Sequence, residues 1–205
     1  MTILQAESAT AICQRALGLA EHRNTFDSLE DGTTLARECR LRYDIRRRSV
    51  LEALDWNFAR HRAVTAIVTT ATPPPDLPIA LALPPEPLRI RAVLTGRRAQ
   101  RFVREAYVFT QTADAAQLVY TREQSNAALF PPVFTAALEY LLASEFAMVY
   151  SRSANRSQIM LKSFRDTMEE ANALEGQERS DDLAYESGPW VDAIETPWLG
   201  VSGQW

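Results

Sequence analysis

A chain of 205 residues with 46% hydrophobic and 23% charged side chains and a net charge of −4 is long enough for one domain of ordinary size or two small ones. No run of about 18 apolar residues occurs and no basic stretch leads into an apolar N-terminal core, so a soluble, unsecreted protein without a membrane partner is expected. Two cysteines, Cys13 and Cys39, are too few for a disulfide scaffold and read as small buried hydrophobes of a reducing compartment, a bridge between them being the lesser alternative.

The elements follow in chain order. Ala9, Ile12, Cys13, Ala16, Leu17 and Ala20 recur at three-to-four spacing and predict an amphipathic helix over 5–20. "NTFDSLEDGTT" is a turn cluster, and a longer helix is expected over 33–55 with Leu35, Cys39, Tyr43, Val50 and Leu54 along one stripe. Arg46, Arg47 and Arg48 interrupt that stripe. Consecutive residues point about 100° apart on a helix, so at least one of these arginines must snorkel or find an acidic partner. The alternatives are a solvated face with one packed stem or a contact between subunits.

After Phe58 the period changes to β-type alternation in "RHRAVTAIVTT", "LRIRAVL", "RFVREAYVF" and "QLVYT". Seven of the eleven prolines lie between Pro73 and Pro87, which predicts exposed connections around a short strand at 79–83. A third helix opens on "LFPPVF", with proline where the first turn tolerates it, and a fourth is expected over 154–174. The expected fold class is α+β, mainly helical. An antiparallel bundle of about four helices (1–58 and 129–175) carries a small inserted antiparallel β region (59–128) and an extended acidic tail (176–205).

Charge is uneven along the chain. From Asp166 onward ten acids face one base, Arg179, whereas from Asn57 to Ser125 nine arginines face five acids. This pattern suggests contacts between copies, or with a partner of matching pattern, more than one polyanionic ligand. The tail holds Trp190, Trp198 and Trp205, side chains suited to anchoring an extended segment on another subunit or protein. Folding back on its own bundle is the alternative.

Chemistry-bearing patterns are sparse. His22 and His61 lack metal-ligand spacing, and there is no phosphate loop, dinucleotide fingerprint or nucleophile elbow, so no catalytic residue, cofactor or metal is expected. Arg46, Arg47 and Arg48, with Arg97, Arg98, Arg101 and Arg104, are candidates for phosphate contacts, although no aromatic stacking platform accompanies them. Trp56, Asn57 and Phe58 stand where helix gives way to strand. Two large aromatics there can lock a joint, and Asn57 can supply a turn or cap.

Three motifs carry a resemblance. They are the turn Ser28, Leu29, Glu30, Asp31 and Thr33 before a long helix; Trp56-Asn57-Phe58-Ala59 followed by Arg62 and Ala63; and Leu129, Phe130, Pro132, Phe134, Ala137 and Leu138 opening the third helix. Leu83, Pro84, Glu86, Leu88, Arg89 and Ile90 echo a strand start, and "PWVDA" echoes a terminal Trp motif. In this order and spacing the chain resembles the tailed-phage head–tail connector family, which includes tail tubular protein A and the adaptors of gene transfer agents. The resemblance implies a virion protein, assembled in the bacterial cytoplasm, that forms a homo-oligomeric ring, commonly of twelve copies. The ring would dock on the portal protein, extend its DNA channel and present a lower surface to the next connector, stopper or tail protein. It implies portal binding through the tail tryptophans and places Arg46, Arg47, Arg48, Arg97, Arg98 and Arg101 as candidates for subunit contacts or the channel wall. The competing reading is a DNA-associated or protein-interaction module using the Arg-rich helix.

Overall fold

The computed structural model describes residues 7–96, 98–113 and 116–177. Helix α1 is Ala9–Leu19, α2 Thr34–Ala53, α3 Pro132–Val149 and α4 Ala154–Gln177. Between α2 and α3 lie strands β1 Arg60–Ala63, β2 Ile79–Leu81, β3 Pro87–Thr95, β4 Arg98–Gln100, β5 Phe102–Arg104, β6 Val108–Thr110 and β7 Ala116–Arg122. A mainly helical bundle is therefore the wrong description. Among the described residues about 47% are helical and 20% strand, with four α-helices and seven strands in two antiparallel sheets, an ordinary α+β balance.

The reason lies in the middle of the chain. The proline-rich stretch does more than connect: Leu77, Ala80 and Leu81 are buried, and Val68 donates to the Ala80 carbonyl at 2.8 Å. "RFVREAYVF" is not one strand but the β5–β6 hairpin, turning at Glu105–Tyr107, where Glu105 donates to the Tyr107 carbonyl at 2.8 Å. One sheet runs β1-β7-β3-β4 and the other β2-β6-β5, and together they enclose their own apolar clusters, including Val93, Val108, Leu118 and Phe109. Length does not limit the β region; alternation and buried β-branched residues fill both sheets.

The helices are built as the sequence suggests, with local caps. Ser8 Oγ accepts from the Ala11 amide at 3.1 Å and Thr33 Oγ1 from the Ala36 amide at 3.2 Å, each satisfying an N-terminal donor. In the turn before α2, Asp31 Oδ2 accepts from the amides of Asp27 and Ser28 at 2.9 and 3.0 Å. That turn tucks Leu29 into the core, 7% exposed. Helix α3 is apolar enough by length and composition to cross a bilayer, yet here it is the central element, packed by α1, α2 and α4. A helix covered on several sides loses the clean apolar stripe of a surface helix, which accounts for its composition. Cys13 and Cys39 are both buried free thiols, and burial pushes the Cys39 thiol up to about 11. Both are inert at neutral pH.

Candidate functional site at the joint between helices and sheet

The C-terminal end of α2 is where the two halves of the protein meet. A helix leaves its last four carbonyls without helical donors, and α2 has no glycine to cap them. Side chains do so instead. Trp56 turns back and its Nε1 donates to the Val50 carbonyl at 2.8 Å. Arg91, on β3, donates from Nη2 to the carbonyls of Leu51, Glu52 and Leu54 at 3.1, 3.1 and 2.6 Å, and from Nε to Thr121 Oγ1 at 2.8 Å. Arg89, two residues earlier on the same strand, donates to the Glu52 carbonyl at 3.1 Å. Two guanidinium groups thus occupy the negative end of the helix dipole. The planar fork of Arg91 reaches several acceptors at once, which a lysine ammonium on a flexible stem cannot reproduce. Arg91→Lys is expected to lower the unfolding free energy by about 1–2 kcal/mol, read from urea midpoints.

Below this cap sits an aromatic cluster. The Trp56 ring meets Phe134 edge-on at 5.0 Å, and Phe134 also meets Phe58 at 5.1 Å and Phe130 at 4.7 Å. Trp56 and Phe134 are fully buried. Asn57 joins this region to α4: its amide gives a 2.6 Å hydrogen bond to Glu175 Oε2 near the end of α4, and its Nδ2 donates to the Glu175 carbonyl at 3.5 Å. Trp56 and Phe58 flank the short turn Asn57–Ala59 that leads from α2 into β1, the place where the sequence changes period.

The three consecutive arginines divide their work as helical geometry requires. Arg47 is 2% exposed; its Nη1 donates to the Gln124 carbonyl at 2.6 Å and its Nη2 to Glu123 Oε1 at 2.8 Å. Arg48, on the outer side, reaches the same Glu123 oxygen from Nε at 2.8 Å. Arg46 points the other way and pairs with Glu145 of α3, which Arg42 also approaches at 3.3 Å. One buried arginine therefore ties α2 to the end of β7. Its Nε has no hydrogen-bond partner, so the site is stabilising but not saturated.

Burial alone would raise the Glu123 carboxyl, but the hydrogen bonds from Arg47 and Arg48 outweigh it and hold the group below the ordinary carboxylate range. A depressed folded value means that its stabilisation is present above the unfolded value, near 4.5, and is lost as the pH falls through the folded one. Glu139 runs in the opposite sense, since burial outweighs its bond to Arg15 and raises it. Comparing wild type with Glu123→Gln cancels that contribution. The wild-type advantage measured by urea unfolding should shrink steadily as the solution is acidified below pH 4.5.

The other candidates fall elsewhere. Arg98 lies on β4, where Thr95 faces it across a tight hairpin opened by Gly96 at φ 60°, a conformation glycine adopts freely. Arg101 is exposed and pairs with Asp76 at 3.0 Å. Register places Arg98 opposite Thr95, at the end of β3 remote from the joint, while Arg101 turns to Asp76 and the α2 arginines to Glu145, Glu123 and Gln124. Arg97, Trp190, Trp198 and Trp205 lie outside the described residues. Among the described residues no group of three or more His, Cys, Asp and Glu is placed to hold a metal ion.

Sequence reasoning missed Arg91, Glu123 and Glu175, and it named Arg89 only as part of a strand start and not as a cap of α2. Arg89 and Arg91 did carry a signal, two cations at alternate positions of an otherwise apolar strand and hence on one face. The two glutamates carried none. No model of a known protein family matches this chain, and no curated protein matches it significantly.

Proposed function

We propose that the chain is a structural adaptor of a phage or phage-like particle, assembling as a ring beneath the portal, extending its DNA channel and connecting to the tail. The observation that supports this reading is where the resembling motifs go. Trp56-Asn57-Phe58 and the Phe130–Phe134 start of α3, far apart in sequence, pack in one aromatic cluster, while Leu88, Arg89 and Ile90 open the strand that caps α2. Residue types shared with head–tail connectors thus coincide with what holds helices and sheet in fixed relation. A ring component needs that fixity, because small angular errors accumulate from copy to copy.

Electron microscopy of the full chain mixed with its portal tests the proposal. Rings stacked coaxially on the portal are expected; a portal left bare at saturating protein overturns it. Removal of the residues after Gln177, which keeps Glu175 and the end of α4, is expected to abolish docking. The competing DNA-binding reading uses Arg46, Arg47 and Arg48, which are here engaged with Glu145, Glu123 and Gln124. A mobility-shift assay at two salt concentrations separates the two, since phosphate binding weakens steeply with salt.

A further inference from the structure

A sheet can accept a further strand only at an edge. The outer side of β2 is bridged by residues 66–68, where Val68 donates to the Ala80 carbonyl and Ala82 to the Ala66 carbonyl. The β5 strand turns toward β3 through Arg104, which donates to the carbonyls of Leu88 and Pro87, and β4 is a three-residue hairpin arm. The β1 strand differs. It ends its sheet, and among the described residues its hydrogen-bonded neighbour is β7 alone. Register puts Arg60 and Arg62 on one face with Thr121 and Val119, and His61 and Ala63 on the other with Tyr120 and Leu118. Arg60 sits deep, 3.7 Å from Asp55, whereas Arg62 is exposed. The opposite face is apolar: Ala63 packs on the cluster of Leu118 and Tyr120, and the His61 ring lies 6.0 Å from that of Tyr120.

The last helix delivers a segment to this edge. Glu175 Oε2 accepts from the Asn57 amide, and the Arg60 amide donates to the Asn57 carbonyl, so α4 ends beside the turn that opens β1. Past Gln177 the sequence reads "ERSDDLAYESGP", in which Glu178, Asp181, Asp182 and Glu186 stand against one base, Arg179. Asp182, Ala184 and Glu186 alternate with Leu183 and Tyr185, so an extended 182–186 is acidic on one face and apolar on the other. Gly188 and Pro189 then end the pattern. Residues 191–195 do not sort in this way, because Ile194 shares a face with Asp192, and Glu195 with Val191 and Ala193. Residues 178–181 reach about 13 Å, well beyond the spacing of about 4.8 Å between paired strands.

We propose that residues 182–186 pair as an added strand on the outer edge of β1 of the same chain, with Asp182 and Glu186 on the face of Arg62 and with Leu183 and Tyr185 beside His61 and Ala63. Backbone hydrogen bonds supply the attachment, and the alternating side chains fix which face is which. Charge selects this occupant over the other terminus, since the residues before Glu7 carry no charged side chain. Trp190, Trp198 and Trp205 lie beyond Pro189 and stay available to a portal. The pairing therefore does not rest on the adaptor reading, and the failure of either leaves the other standing.

Hydrogen–deuterium exchange of the full chain tests it. The amides of 182–186 are expected to exchange at least about tenfold more slowly than in a synthetic peptide of residues 178–190. Ala184→Pro removes a donor in mid-strand and should erase that protection, with far-UV circular dichroism of the helices unchanged. Arg62→Glu should reduce the protection, and Asp182→Arg added to it should restore part. With Ala63→Cys and Leu183→Cys in one chain, a bis-maleimide spanning about 8 Å, the reach of cross-strand neighbours, should close a link within the monomer mass. The buried native thiols make the wild type the background control. Exchange at 182–186 as fast as in the peptide overturns the pairing, as does protection that survives Ala184→Pro. A cross-linked dimer from a mixture of the two single variants overturns it in favour of a neighbouring copy's segment.

Discussion

Replacing Trp56 with alanine is expected to lower the unfolding free energy by about 3–5 kcal/mol, the largest effect of any single change at the joint. The side chain is fully buried, so its loss leaves a cavity beside Phe134 and Phe58 that their rings cannot close without disturbing the edge-on contacts of Phe134 with Phe58 at 5.1 Å and Phe130 at 4.7 Å. It also strips the Val50 carbonyl of its only described side-chain donor at the end of α2. Trp56→Phe separates the two effects. It keeps most of the packing and gives up the hydrogen bond, for a loss of about 1–2 kcal/mol. Far-UV circular dichroism in urea reads both variants. A Trp56→Ala protein as stable as wild type would show that the joint is held from elsewhere.

Arg47→Ala comes second, at about 3 kcal/mol. The arginine is nearly inaccessible and reaches the β7 end through Glu123 and the Gln124 carbonyl. Removing it leaves that carbonyl without its charged donor and Glu123 with Arg48 alone. Because Glu123 keeps one cation and some contact with water, the effect falls at the lower end of the range for broken buried pairs. Arg47→Met preserves the packed stem and should recover part of the loss. In a double-mutant cycle with Glu123→Gln, a coupling energy near zero would assign the stability to the stem and the Gln124 carbonyl instead.

The helices were legible in the sequence because each announces itself locally. The apolar stripes of α1 and α2 repeat at helical spacing and Pro132 sits where a missing amide does no harm, whereas Ser8 and Thr33, expected inside the helices, are their caps. Helix ends moved by only a few residues. The β region was legible as strands but not as an architecture. The short strand expected at 79–83 is there as β2, but three-residue strands such as β5 and β6 hold too few residues for alternation to separate them, and the burial of β2 depends on β6 across the sheet. Trp56 and Phe58 could be assigned to a joint because large aromatics at a change of period have few other uses. Arg91 could not, since its role is set by carbonyls brought to it by folding. Arg47 lies between the two cases: helical angles required at least one of three arginines to snorkel or find an acidic partner, and only the position of Glu123 singles out Arg47 as the buried one.

The β excursion leaves the helices through β1 and returns through β7, and these two strands are hydrogen-bonded neighbours, with Arg60 opposite Thr121. Seen from the bundle, more than sixty residues are spliced in across a gap of one strand spacing, about 4.8 Å. A segment grafted in this way behaves as a cassette. Its far hairpins can lengthen, shorten or be exchanged with little change in the entropy of closing the chain, while the stem formed by β1 and β7 keeps the same footprint on the helices.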